Sequence, residues 1–465
     1  MIEARSFAGK TVAVFGMGVS GLAAGRSLLA GGAKVFAWDD GEKGRDAAQA
    51  AGLPLADLKA ADWSGIGTLV LAPGVPLTHP KPHWTVELAR ANGAEIIGDT
   101  EIFIRERRLS GKSAKLIAIT GTNGKSTTTA LTHHLLAAAG QDAALGGNIG
   151  KAVLDLPPFE DGVHYVIEFS SFQLDLTPSL DPDAAVLLNI TPDHLDRHGT
   201  LENYSTVKES IFLNPKTAII GADDALCGAI AERVSIRGVR TLRISAQHPV
   251  ETGIYADGGT LLEAERGKIV NRASLHGIGS LRGAHNAQNA AAALAACRSL
   301  GLRWDALANG LNSFPGLAHR MEEVRRIGRV IFINDSKATN ADAAGRALLS
   351  FSNIYWIIGG KPKDGGITSL APLFGRVKKA YLIGEASEAF ARALGQAIPY
   401  VFSKTLDRAV AEAGADADAN GLDAVVLLSP ACASYDQFPN FEKRGDAFRS
   451  LVLALPETSF MDGAV

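Results

Sequence analysis

A chain of 465 residues is long enough for about three domains, each with its own core. Its net charge of −3 provides no basic field for nucleic acid, so a small-molecule substrate is expected instead. Cys227, Cys297 and Cys432 lie far apart without metal or redox spacing, and no apolar run reaches the ~18 residues of a membrane span, so a cytoplasmic, non-membrane protein with buried thiols is expected.

The first predicted unit is the strand Thr11-Val-Ala-Val-Phe, followed by Gly16, Gly18 and Gly21 in GxGxxG spacing, an Ala/Leu-rich helix and a second strand ending at Asp39 and Asp40. This spacing suits a tight turn with a diphosphate on a helix N-terminus. An NAD-dependent oxidoreductase is therefore one candidate, although any nucleoside diphosphate would satisfy the motif. A second loop at Pro73-Gly74 ends another strand of the same sheet. The charged, Gly- and Ser-containing stretch 105–115 marks the first boundary, giving a domain over 1–104.

The second unit, Leu116-Ile-Ala-Ile-Thr-Gly-Thr-Asn-Gly-Lys-Ser-Thr-Thr-Thr129, predicts a buried strand, a phosphate loop and a helix. Gly121 and Gly124 let the N–H groups around Thr122, Asn123 and Thr127 converge on an anion. Lys125 can reach the outer phosphates of a nucleoside triphosphate, and the Ser126 hydroxyl can sit on Mg²⁺. The loop is shorter than GxxxxGK[ST], whose first Gly would fall on Ile119. Next, Glu168 ends an apolar strand, where an unpaired carboxylate is costly and a cation would resolve the cost. The strand 184–189 runs into Ile-Thr-Pro-Asp-His-Leu-Asp-Arg-His, which brings Asp193, His194 and Asp196 to a strand C-terminus, where α/β active sites sit.

Pro315 and Gly316 end a helix near 312–317, so the central domain is placed at 105–316 and the last at 317–465, with a hinge expected between them. VIFINDS, NIYWIIGG, KKAYLIG and AVVLLSP then alternate with helical patterns. The predicted class is α/β in three domains: a Rossmann-like nucleotide unit, a central P-loop ATPase-type parallel sheet and a Rossmann-like C-terminal domain. A nucleotide-binding regulatory protein without chemistry is a third reading, but it would have no need for two sets of metal ligands.

TGTNGKSTT, GGNIG, SSFQLD, NITPDHLDRH, GAHNAQNAAAA, LAHRME, NDSKATN and SPACASYDQFPNFEKRG, in that order, resemble the Mur ligase family, and the motifs span nearly the whole chain. The resemblance suits the glutamate-adding branch. It implies ligation of D-glutamate to UDP-N-acetylmuramoyl-L-alanine through an acyl phosphate, with ATP as co-substrate, two Mg²⁺ ions and a monomer that binds neither nucleic acid nor membrane. It implies that Lys125, His194 and Lys208 are catalytic, with Lys208 carbamylated; spacing alone reads Lys208 as a surface residue of an amphipathic helix. Ser126, Glu168, His194 and Lys208 would hold metal. Gly121 to Thr127, Asn286, Asn289, Arg320 and Asp335 would bind ATP. Gly18, Val19, Ser20, Asp39, Asp40, Pro73, Gly74, Asn148 and Gln173 would bind the UDP-sugar, and Thr339, Lys363, Ser434 and Phe441 the glutamate. The segment GGKPKDGG departs from the family pattern, so Lys361 could replace Lys363.

Overall fold

The computed structural model describes residues 1–362 and 365–456, and among these the strands form three sheets. The first contains β1 (Thr11–Phe15), β2 (Lys34–Trp38), β3 (Thr68–Leu71) and β4 (Glu95–Ile97), all parallel, in the order β2-β1-β3-β4. Val12, Ala13, Val14 and Leu69 to Leu71 are buried, as strands covered by helices on both faces must be.

The central sheet comprises β5 (Lys115–Thr120), β6 (Ala143–Gly147), β7 (His164–Glu168), β8 (Ala184–Leu187), β9 (Thr217–Gly221), β10 (Arg240–Ser245), β11 (Gly253–Asp257), β12 (Thr260–Glu265) and β13 (Lys268–Ser274). Its order is β13-β12-β11-β10-β9-β8-β5-β7-β6. The strands β5 to β11 pair in parallel, as expected for a phosphate-loop domain. One edge departs from that expectation, because β11, β12 and β13 are antiparallel. Each connection there has two residues at positive φ, Gly258 with Gly259 and Arg266 with Gly267, and such two-residue turns match the twist of a hairpin.

The helix Asp99–Leu109 joins these two sheets. Arg107 pairs with Asp181 and Asp183, Arg108 pairs with Asp181, and Thr100 meets Thr177 at 2.6 Å. Phe103 packs edge-on against Phe159 and Tyr165. The stretch read from composition as a boundary thus begins inside a packed helix, whose Arg107 and Arg108 take their partners from the central domain while Arg105 pairs with Glu95 and Glu101.

The third sheet contains β14 (Glu322–Ile327), β15 (Val330–Asn334), β16 (Ile354–Gly359), β17 (Val377–Ile383), β18 (Tyr400–Lys404) and β19 (Ala424–Leu428), in the order β14-β15-β19-β16-β17-β18. All pairs are parallel except the β14–β15 hairpin. Buried apolar residues cover both faces, with Trp356 on one and Tyr381 on the other. By contact density the chain forms two compact units, 1–276 with 286–313 and 277–285 with 314–465. The last crossing between them lies in the segment where Pro315 and Gly316 were expected to end the central domain.

Candidate active site

The phosphate loop forms where β5 meets the helix Lys125–Ala138. It is bolted to the segment after β8. Asn123 N–H donates to Asn189 Oδ1 at 2.9 Å, Asn189 Nδ2 donates to Asn123 O at 3.1 Å, and Thr122 Oγ donates to Thr191 O at 3.1 Å. These bonds bring the loop beside Asp193 and His194, two chain segments that sequence alone could not place together.

Gly124 caps the helix in the left-handed region, at φ 85°, and an added Cβ would stand 2.2 Å from Asn289 Oδ1. Gly124→Ala should therefore cost ~1–2 kcal/mol in backbone strain and displace Asn289 as well. The expected result is a lower unfolding midpoint and weaker ATP binding, and a variant matching the parent in both would refute this. Asn289 Nδ2 donates to Asn286 Oδ1 at 3.1 Å, so the two amides share one helix face against the loop.

Lys125 Nζ donates to Gly121 O and Thr122 O at 2.9 and 2.8 Å, folded across its own loop. Lys208, 1% exposed, donates from Nζ to Gly121 O at 2.9 Å and lies 4.7 Å over the Tyr204 ring. Burial, then repulsion from Lys125, drives its pKa well below the ordinary lysine value, while Asp193 and Glu168 oppose the shift. The surface-lysine reading from spacing is thereby corrected: the helix Leu201–Glu209 turns Lys208 into the core. Burial also lowers the pKa of His194, with Asp193 opposing and Lys125 and Lys208 contributing. Lys125, Lys208, Glu168, Asp193 and His194 thus form one electrostatic cluster.

Glu168 is 1% exposed; its Oε1 accepts from Asn148 Nδ2 at 2.7 Å, and its Oε2 has no partner. An orphaned buried carboxyl oxygen beside a phosphate loop suits a cation. Among the described residues no three His, Cys, Asp or Glu side chains cluster as a metal site. The single carboxylate Glu168, with its unpartnered Oε2, is a donor of the kind Mg²⁺ takes, since that ion is commonly held by one or two carboxylates with phosphate and water completing the shell.

A cavity of about 530 Å³ opens between the first sheet and the central one. Gly18, Val19, Ser20, Pro73, Gly74, Asn148 and Gln173 line it, joining residues from four separate segments. Asp39 and Asp40, expected there, do not. Asp39 accepts from Met17 N–H at 2.6 Å and Gly41 N–H at 2.8 Å, so it holds the glycine turn in shape. Asp40 accepts from Trp84 Nε1 at 3.1 Å and lies 3.1 Å from His83 Nε2.

Residues 119–297 match the Mur ligase middle domain, and 319–432 match the Mur ligase, glutamate ligase domain. The chain is 57% identical over 466 residues to the UDP-N-acetylmuramoylalanine–D-glutamate ligase of Mesorhizobium japonicum. It is 58% identical over 465 residues to the protein of that name from Brucella abortus, and both alignments cover 100% of each chain. The chain belongs to the Mur ligase family. Its fold resembles the UDP-N-acetylmuramate-alanine ligase of Thermotoga maritima, with a TM-score of 0.58 at 17% identity over 96% of this chain and 99% of that one. A pseudomurein peptide ligase type C from Methanothermus fervidus gives 0.56 at 19% identity, with the same coverage. Identities this low speak for the fold alone.

In the C-terminal unit of this Mur ligase, Asp335 directly follows β15 and is buried. Its Oδ2 accepts from Ser429 Oγ at 2.8 Å, and burial pushes its pKa up to about 7, with Ser429 and Arg320 among the groups holding it back. Ser434 is 2% exposed, and Phe441 opens the last helix with Lys337 Nζ 3.8 Å over its ring. Lys361 N–H donates to Ala433 O at 2.9 Å, next to Ser434, while Lys363 lies outside the described residues. Thr339 N–H donates to Lys337 O at 2.8 Å, placing Thr339 beside the Lys337–Phe441 stack.

Arg444 was missed as an organiser of these loops. It is 1% exposed and binds Ser336 Oγ, Ser336 O and Cys432 O, and burial lowers its pKa to about 10. The stack around Phe172 was also missed: His198 lies parallel to the ring, Arg197 lies 4.6 Å over it, and Arg197 Nη1 donates to Gly74 O. A buried cation ringed by carbonyls and an aromatic anchor are both created by distant segments, which leaves no local pattern to find.

Among the described residues no helix is long and apolar enough to cross a membrane, and all three cysteines are buried and free of disulfides.

Proposed function

We propose that this Mur ligase joins D-glutamate to UDP-N-acetylmuramoyl-L-alanine, converting ATP to ADP and phosphate, as a monomer in cytoplasmic peptidoglycan precursor synthesis. The observation that carries this reading is 56–58% identity, along essentially the entire chain, to relatives of that name. Three domains, 1–104, 105–316 and 317–465, divide the substrates as UDP-sugar, ATP and amino acid.

A carboxylate and an amine do not condense unaided in water. The UDP-substrate carboxylate attacks the γ-phosphate, the D-glutamate amine attacks the resulting acyl phosphate, and the tetrahedral intermediate expels phosphate. The chain contributes positioning and charge more than a covalent nucleophile. Loop N–H groups from Gly121 to Thr127 cradle the phosphates, and Lys125 moves from the loop carbonyls onto a phosphate oxygen. Asn286 and Asn289 present amides to adenine, Arg320 serves a phosphate and Asp335 the ribose. Asn148 links the muramoyl end to Glu168, since it both lines the cavity and donates to that carboxyl.

Ser126 and Glu168 would hold one Mg²⁺, and His194 with carbamylated Lys208 the other; these ions would offset charge on the transferring phosphoryl oxygens. The lowered pKa of Lys208 supports carbamylation, because only a neutral amine adds CO₂. Thr339, Ser434 and Phe441, with Lys361 or Lys363, would form the glutamate pocket.

The test is phosphate release from ATP with UDP-N-acetylmuramoyl-L-alanine and each glutamate enantiomer. Release is expected only when the acceptor and D-glutamate are both present. Hydrolysis that is independent of either substrate, or NADH binding in place of ATP turnover, would refute the reading.

A further inference from the structure

Asp99 is the first residue of the helix Asp99–Leu109, is 2% exposed, and has no hydrogen-bond partner of ordinary geometry at either carboxyl oxygen. Burial pushes its pKa up to about 6, while the Ser20 hydroxyl and the backbone N–H groups of Thr100 and Asp99 hold it back. The charged groups on the elements packed around it are engaged elsewhere: Glu101 with Arg105, Glu106 with Ser6, Arg26 with Asp155 and Arg5 with Glu3. A helix N-terminus tolerates an acid, but that leaves two unmatched buried oxygens unexplained. Ser20 suggests their use. It lies in the first turn of the helix after Gly18 and lines the nucleotide-sugar cavity, whose lining contains no Lys or Arg.

We propose that Asp99 is a positioning residue for the UDP-substrate: its carboxyl proton is donated to Ser20 Oγ, which leaves the Ser20 O–H to donate to a phosphate oxygen. The inference rests on reading the cavity as a nucleoside-diphosphate site. Its logic is donor polarity. Phosphate oxygens accept, whereas a Ser20 hydroxyl that donated to an ionised Asp99 would turn a lone pair toward an anion. A bound diphosphate further favours the proton on Asp99, since like charges in one site cannot both stand at low cost. Substrate binding therefore takes up one proton from solvent at this carboxyl.

The test compares Asp99→Ala, Asp99→Asn, Ser20→Ala and the Asp99→Ala/Ser20→Ala double variant with the parent, measuring kcat and the KM values for the UDP-substrate and ATP between about pH 5 and 9, a window that spans the perturbed carboxyl. Asp99→Ala should raise KM for the UDP-substrate about tenfold or more, as for a lost hydrogen bond to a charged group. Its kcat and KM for ATP should stay within about twofold, because chemistry and nucleotide binding lie elsewhere. The double variant should be no worse than Ser20→Ala, since both changes remove one interaction. Asp99→Asn keeps a donor toward Ser20, so it should retain a low KM and lose the rise in KM that the parent shows toward high pH. Both Asp99 variants should unfold at or above the parent's temperature, which distinguishes positioning from support of the fold.

Additive effects in the double variant, a loss confined to kcat or stability, or an Asp99→Asn profile as pH-dependent as the parent's would overturn the proposal. A parent that shows no saturation by the UDP-substrate would instead overturn the reading of the cavity, and that result needs no variant.

Discussion

Replacing Lys208 by Ala is expected to reduce ligation by about 10²–10³-fold, the usual scale for losing one preorganised electrostatic group, while the fold is retained. Lys208 is enclosed between the phosphate loop and Tyr204, and its pKa is driven down chiefly by burial. The folded state therefore binds fewer protons at this site than the unfolded chain between the depressed value and the ordinary one. Stability contributed by this group consequently rises with pH across that interval and falls as pH drops, and Lys208→Met should flatten that slope. Formate or acetate should restore part of the activity of the Ala variant by standing in for the carbamate. Full activity in the Ala variant, or an unmodified ammonium in density with nucleotide and metal bound, would sink this account.

The second large effect is expected at Glu168. Glu168→Gln preserves shape and one hydrogen bond to Asn148 but removes the carboxyl oxygen that has no partner. Phosphate release should fall by about 10²-fold or more, and the Mg²⁺ concentration for half-maximal rate should rise, because a neutral amide is a poor ligand for a hard cation. Thermal stability without nucleotide should hold or increase, since an unmatched buried acid is costly. An unchanged Mg²⁺ titration would refute the assignment, and a lower melting temperature would mean that Glu168 mainly supports the strand.

The phosphate loop was legible because strand, turn and helix are consecutive, and each has a local cause in Ile117 to Ile119, Gly124 and the run from Ser126. The GxGxxG turn was legible for the same reason. Asp39 shows the limit: it was expected at the UDP-sugar, and in the fold its oxygens accept from backbone N–H groups of the turn. The hairpins of β12 and β13 carried a readable signal in Asp257-Gly-Gly, which strand–helix alternation obscured. Lys208, Asp99 and Arg444 could not be read locally. Each is polar on a helix, and only packing by segments tens of residues away encloses it.

The joint at Asp99–Leu109 has a pharmacological consequence. Its arginine pairs and aromatic cluster place the wall of the 530 Å³ cavity, drawn from both flanking sheets, within one compact unit before any ligand arrives. A rigid inhibitor shaped to that cavity spends little of its binding energy on ordering the protein. Its association should be fast and its residence time set by contacts rather than by closure. Resistance substitutions would then arise less readily at the glycine and backbone surfaces of the wall than at the salt-bridged joint behind it, where loosening the frame costs the inhibitor its preformed mould.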